Sequence, residues 1–332
     1  MIKTNKMKYY LLLVVIIFIG VSCIIYGNVS SGSIPFYVLE PNDEFQAVWE
    51  IFEDNTNRIV GTVGKFIIHG HVDGTSIYQL TALDSINGNS IWVRSNTIGE
   101  DVITNRDVLY QGTSGIAYVR AFDVNTGDEL WSTRLPKAHS VDMLSYTNNE
   151  ILVHTTDSQC FVLNDDGEIL NRFEETFVVF LKTNGFLYME NGFGIQSVDY
   201  SSKEIIWDLE VSPYFSVPFY SDGTLFMNTH SDNGYILAVN HKTGEVNWKV
   251  NQDVLSNLYV TDTKLYFVNK DSELVVLDKT TGDEISITKF TPTFDLDIQN
   301  EEYYITGDPT NNILAISFGD NNQIIGLKIL NP

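Results

Sequence analysis

From about residue 45 onward the chain alternates short apolar runs with polar, glycine-bearing breaks. The first run of each pair is plain: Phe66-Ile67-Ile68, Val108-Leu109-Tyr110, Ile151-Leu152-Val153, Phe186-Leu187-Tyr188, Leu225-Phe226-Met227, Leu265-Tyr266-Phe267 and Tyr303-Tyr304-Ile305. A turn follows, then a second run that stops at an Asp or Asn. Runs this short, bounded by turn residues and rich in β-branched and aromatic side chains, predict strands. No long amphipathic helical pattern appears after residue 30.

The breaks repeat. Ala82-Leu83-Asp84 leads to Gly88 and Trp92, Ala121-Phe122-Asp123 to Gly127 and Trp131, and Ala238-Val239-Asn240 to Gly244 and Trp248. Glycine follows the Asp or Asn by four residues and tryptophan by eight. Weaker copies have Asp199 with Lys203 and Trp207, Asp278 with Gly282 and Ser286, and Asn164 with Gly167; a degenerate seventh opens at Ala315-Ile316-Ser317. Successive anchors at 84, 123, 164, 199, 240, 278 and 317 are 35 to 41 residues apart. A period near forty with four short strands per unit predicts propeller blades. Between anchor and tryptophan lies a hairpin turn, in which Asp or Asn bonds nearby amides and Gly supplies a positive φ.

Trp49, in Ala47-Val48-Trp49-Glu50, reads as a fourth strand without its own first three. A blade completed from the other end of the chain removes an exposed sheet edge. The expectation is an all-β, seven-bladed propeller over residues 45–332. Ile324 to Ile329 competes for the same place as the seventh blade's own outer strand, so an eighth, incomplete blade is the alternative.

The unit Ala121-Phe122-Asp123-Val124-Asn125-Thr126-Gly127-Asp128-Glu129-Leu130-Trp131 resembles the repeat of the pyrroloquinoline-quinone (quinoprotein-like) propellers. That group holds both dehydrogenases and non-catalytic branches, including propeller lipoproteins of outer-membrane barrel assembly. The resemblance implies that Asp84, Asp123, Asp199, Asp278, Gly88, Gly127, Gly244 and Gly282 shape turns. It also implies that Trp49, Trp92, Trp131, Trp207 and Trp248 dock between neighbouring blades. The dehydrogenases carry a vicinal cysteine pair and long insertions that build the cofactor pocket. Here Cys23 and Cys160 stand far apart and the even anchor spacing leaves no room for insertions. No cofactor is expected, and a binding or scaffolding role is favoured over a quinone- or metal-dependent oxidoreductase or a carbohydrate-binding or lyase propeller.

The first residues carry an address. Lys3, Lys6 and Lys8 precede Tyr9 to Gly27, nineteen residues without a charge. As a helix that run spans about 28 Å, near the hydrocarbon thickness, and the lysines orient it with the rest of the chain outside the cytoplasm. Gly20-Val21-Ser22-Cys23 resembles a lipobox, with Cys23 as the lipidated residue, although Ile24-Ile25-Tyr26 extends the apolar run beyond it. Residues 1–27 are thus expected to be a membrane anchor or lipoprotein-type signal, and 28–44 a linker and lead-in segment. The expected location is the cell membrane, with the propeller outside.

Net charge is −23, and the three N-terminal lysines set aside, 43 acidic residues face 17 basic ones. Such a field repels nucleic acid and favours solubility or a basic partner. The partner expected is a protein or peptide, on a monomeric propeller. Acidic turns such as Asp165-Asp166-Gly167-Glu168 lack the ligand layout of a calcium loop, so no metal is expected. Aligning the first apolar runs puts His69, Gln111, His154, Met189, Asn228, Val268 and Thr306 in one column. Of these His69, Gln111, His154, Asn228 and Thr306 form a candidate polar ring at one mouth of the propeller. No nucleophile, phosphate loop or paired carboxylates with catalytic spacing appear, so no catalytic residue is assigned.

Overall fold

A computed structural model describes residues 37–331, apart from 41, 53–56, 74–75, 100, 106, 175–177, 184, 212–217, 230–233, 293–302 and 319–322. The expected anchor 1–27, Cys23 included, lies outside the described residues. No described helix is long and apolar enough to cross a membrane.

The described strands form seven antiparallel sheets. The chain enters through β1 (Tyr37–Leu39) and β2 (Phe45–Phe52). Blade 1 is β3 (Asn57–Val63), β4 (Phe66–Asp73), β5 (Ser76–Asp84) and β6 (Ser90–Gly99). Blade 2 is β7 (Asp101–Asn105), β8 (Val108–Gly112), β9 (Tyr118–Asp123) and β10 (Glu129–Arg134). Blade 3 is β11 (Val141–Thr147), β12 (Glu150–Thr155), β13 (Gln159–Asn164) and β14 (Ile169–Glu174). Blade 4 is β15 (Val179–Thr183), β16 (Phe186–Glu190), β17 (Gly194–Asp199) and β18 (Ile205–Glu210). Blade 5 is β19 (Phe219–Ser221), β20 (Thr224–Asn228), β21 (Tyr235–Asn240) and β22 (Val246–Asn251). Blade 6 is β23 (Tyr259–Val260), β24 (Lys264–Val268), β25 (Glu273–Asp278) and β26 (Glu284–Pro292). Blade 7 is β27 (Tyr303–Asp308), β28 (Ile313–Phe318), β29 (Gln323–Ile329) and, from the other end of the chain, β2.

This is a seven-bladed propeller of four-stranded blades. The second and third strands are the most apolar of each unit and are buried nearly throughout, so the core is a ring of packed sheet faces rather than one central mass. Outer strands alternate; β10 and β22 read exposed, exposed, half-buried, exposed, half-buried, exposed.

The expected seven blades stand, with a correction to how the last is assembled. There is no eighth blade among the described residues: Ile324 to Ile329 lies in β29, the third strand of blade 7, flanked by β28 and β2. Ser317 does not end a third strand; it lies in β28, the second. The residue that faces the start of the second strand, as Asp84 faces Phe66, is Lys328, which faces Ile313. Tyr303 to Ile305 accordingly belongs to the innermost strand. The lead-in segment contains β1, which pairs with β26 (Tyr37 with Pro292, Leu39 with Phe290) and makes blade 6 five-stranded. Asn42 then turns the chain, its Oδ1 accepting the N–H groups of Glu44 and Phe45, and β2 runs on into blade 7.

Candidate functional site

In blades 1 to 6 the turn after the third strand is built from its first residue. Asp123 Oδ1 accepts the N–H groups of Asn125 (2.7 Å) and Thr126 (3.2 Å), and Gly127 returns its own N–H to the Asp123 carbonyl. Gly127 has φ +74°, where a side chain is disfavoured. Asp84, Asp199, Asn240 and Asp278 make the same pair of bonds. These N–H donors hold the Asp199 and Asp278 carboxyls below the usual carboxylate range.

The turn is also a socket. Trp92 of blade 1 lies flat on Gly127 of blade 2, and its Nε1–H donates to the Val124 carbonyl at 2.6 Å. Trp49 meets Gly88 and bonds the Ser85 carbonyl (2.7 Å); Trp131 meets Gly167 and bonds Asp165 (2.8 Å). Trp207 meets Gly244 and bonds His241 (2.9 Å), and Trp248 meets Gly282 and bonds Lys279 (3.0 Å). The acceptor is always the residue after the turn's Asp or Asn. Each indole therefore joins its own blade to the next, burying ring area and satisfying its one donor.

Register adds a rule the spacing alone does not show. Four tryptophans face the residue two before the turn Asp or Asn of their own blade, and that residue is small: Ala82, Ala121, Ser197 and Ala238; Trp49 faces Gly326, two before Lys328. Where the tryptophan is missing the facing residue is valine, Val162 against Asn171 and Val276 against Ser286. The signal was present in the sequence as the third residue from the end of each second run.

These two joints are closed differently. Between blades 3 and 4, Asn171 Nδ2 bonds the Tyr200 hydroxyl, and Phe173 meets Tyr200 edge to face at 5.9 Å. Lys203 takes the glycine's place at φ +63°, with Nζ 4.3 Å from the Phe173 ring centre. Between blades 6 and 7, Ser286 bonds Glu44 beside the added strand β1.

The candidate polar ring is not one ring. His69 and Gln111 lie three residues beyond the position facing the turn residue, whereas His154 and Asn228 lie four beyond it. With a side-chain period of two, the two pairs stand on opposite faces of their sheets. Thr306 sits on the innermost strand β27 and bonds Thr62 of blade 1 at 2.6 Å, across the closing seam. All five are buried. His154 Nδ1 lies 3.2 Å from Asp142 Oδ2, which holds the Asp142 carboxyl below its ordinary range. Cys160, opposite His154, is a buried thiol. Among the described residues no three His, Cys, Asp or Glu side chains gather as a metal site would need.

Most exposed large apolar side chains lie on the outer strands, but a few stand on loops. Second-to-third-strand loops and inter-blade connections open to the same end of an antiparallel blade. There Phe193 of blade 4 is 76% exposed and Ile116 of blade 2 is 54% exposed. The Phe193 loop is tightly held: Phe193 N–H donates to Asn191 Oδ1 (2.8 Å), and Val211 N–H donates to the Phe193 carbonyl (3.2 Å).

Forty-residue blades joined by tryptophan-on-turn contacts define a propeller of the quinoprotein-like repeat class. The chain belongs to the family described as outer membrane protein assembly factor BamB, whose family model matches residues 74–177 and 183–290. Among curated proteins it is similar to the uncharacterized protein RP232 of Rickettsia prowazekii, 21% identical over 323 residues, covering 83% of this chain and 77% of that one. It is also similar to RC0314 of Rickettsia conorii, 20% identical over 212 residues, covering 57% and 51%. BamB from Moraxella catarrhalis superposes with a TM-score of 0.53 at 16% identity, covering 87% of this chain and 98% of that one. The Cps50 (Swd1) propeller domain of Myceliophteria thermophila gives 0.62 at 13% identity, covering 86% and 99%. At such identities the likeness to solved structures speaks to the fold alone.

Proposed function

We infer that this chain is a non-catalytic, protein-binding scaffold of envelope assembly, displayed outside the cytoplasm and tethered by its first 27 residues, either as a membrane helix or through lipid on Cys23. Membership of the outer-membrane assembly factor family carries this reading. The distribution of chemistry supports it. The turn Asp and Asn residues, the tryptophans and Thr306 are spent on turns and seams, while loops at one end hold Phe193 and Ile116 out to solvent. A rigidly held aromatic such as Phe193 suits an anchor for a partner's pocket, because little conformational freedom is lost when it docks.

In-cell crosslinking tests the reading, with a photoreactive phenylalanine analogue at position 193 and a second at the blade 7 rim as control. A discrete adduct with an envelope protein at 193, absent at the control position, is expected. A chain that yields only monomer from every loop position is not a scaffold. Radiolabelled lipid precursor with and without Cys23→Ala tests the lipid tether: label lost in the variant means lipidation at Cys23, and no label in either rules that tether out.

A further inference from the structure

Five of the seven outer strands are tied to the next blade by an indole, and two are not: β26, with Ser286 at the tryptophan position, and β14, with Asn171. The protein itself covers the first. β1 lies antiparallel along β26, and Glu40 continues the contact, its N–H donating to the Lys289 carbonyl and its carboxylate accepting from Thr291. β14 ends its sheet with no described strand on its outer side. It is also strongly exposed: of its six residues only Phe173 is half-buried, and Leu170 stands 54% exposed. An uncovered edge of this kind is a template for pairing that proteins ordinarily blunt. Here Arg172 sits at its middle, opposite Phe161, held by Gln159 Oε1 at 2.7 Å and stacked over the Phe161 ring at 5.5 Å.

We propose that the outer edge of β14 accepts an added strand from a partner protein, an extended segment of alternating apolar residues bearing a carboxylate that meets Arg172. The model for the contact is the protein's own β1, a Tyr-Val-Leu run followed by Glu40. Main-chain hydrogen bonds would supply affinity, and the Arg172–carboxylate pair with apolar contact to Leu170 would set register and choice. Arg172 puts a cation at the middle of this edge in an otherwise acidic chain; β22 carries Lys249 at the same place, but there the neighbouring Trp248 is docked on blade 6. The proposal rests on the scaffold reading above and names the surface and the kind of segment.

The test uses the full chain and a fluorophore-labelled hexapeptide alternating valine and tyrosine around one glutamate. Polarisation should show saturable binding, with exchange protection gained at the amides of residues 169–174. Leu170→Lys and Arg172→Glu should each weaken it about tenfold, whereas Ile285→Lys on blade 6 should not. A twin peptide with alternate amides N-methylated should not bind. Absence of binding up to about 1 mM peptide, or binding indifferent to the two blade 3 substitutions, overturns the proposal. If the in-cell adduct at 193 persists in the Leu170→Lys/Arg172→Glu double variant while the peptide fails to bind the wild type, the edge is refuted and the scaffold stands. Absence of any adduct at 193 in the wild-type chain refutes the broader reading.

Discussion

Gly326 faces Trp49 so closely that a Cβ on the glycine would lie 2.0 Å from Trp49 Cε2. The other four tryptophans tolerate alanine or serine opposite them, so the closing blade is the tightest of the tryptophan seams. Gly326→Ala should therefore destabilise by about 1–3 kcal/mol through overpacking. Thermal unfolding checks this. An equal loss for Ala238→Gly, the reverse change facing Trp248, would show that packing at this position is not what matters.

The indoles are graded by burial. Trp207 is 8% exposed and Trp131 is half-exposed, yet both donate to the next blade. Trp207→Ala should cost about 3–5 kcal/mol, and Trp131→Ala roughly half of that. Denaturant midpoints at constant m-value decide it, and equal costs would mean that ring burial does not set the strength of the joint.

If small residue, tryptophan and glycine act as one device, they can be moved. Asn171→Trp alone should destabilise, because the indole meets Val162 and Lys203. Adding Val162→Ala and Lys203→Gly should reverse the sign and make the triple variant at least as stable as the parent. A double-mutant cycle reads the coupling, and additive effects would refute the rule.

Acid should weaken the joint between blades 4 and 5 first. His241 is buried between Phe186 and Tyr220, with Nδ1 2.9 Å from the Tyr188 hydroxyl. Burial, and secondarily Lys242, lower its pKa from an ordinary 6.5. The unfolded chain thus takes up a proton that the folded chain refuses, so stability is full above about pH 6.5 and falls as pH drops from there toward the lowered value. The carboxylates with lowered pKa, Asp142, Asp222 and Asp253 among them, begin to act only below their ordinary 3.8. Urea unfolding between pH 7.5 and 4.5 should show this slope in the parent and lose most of it in His241→Gln.

The six units that end in a real hairpin were legible because each must place a turn one period from its partner's tryptophan or its substitute. The seventh was not, because its third and fourth strands come from opposite ends of the chain. No hairpin joins them, and Lys328 stands where an Asp would have flagged the turn. Ser317 fits the spacing through the alternation of β28 alone. The polar column failed for a related reason: runs as uniform as Leu225-Phe226-Met227 and Phe66-Ile67-Ile68 align equally well one residue apart, and only pairing to the third strand settles which face a residue takes. β1, with three residues, is too short for any periodicity to announce it.

Closure by β2 and β29 also sets an order of events. Phe45 waits for Ile329, so during synthesis β2 must wait for almost the whole chain before its mate exists. Until then the ring is an open arc with two raw ends, and its slowest, most aggregation-exposed step is its last. Any factor that guards this protein as it folds would have most to do in the moments before the final blade emerges.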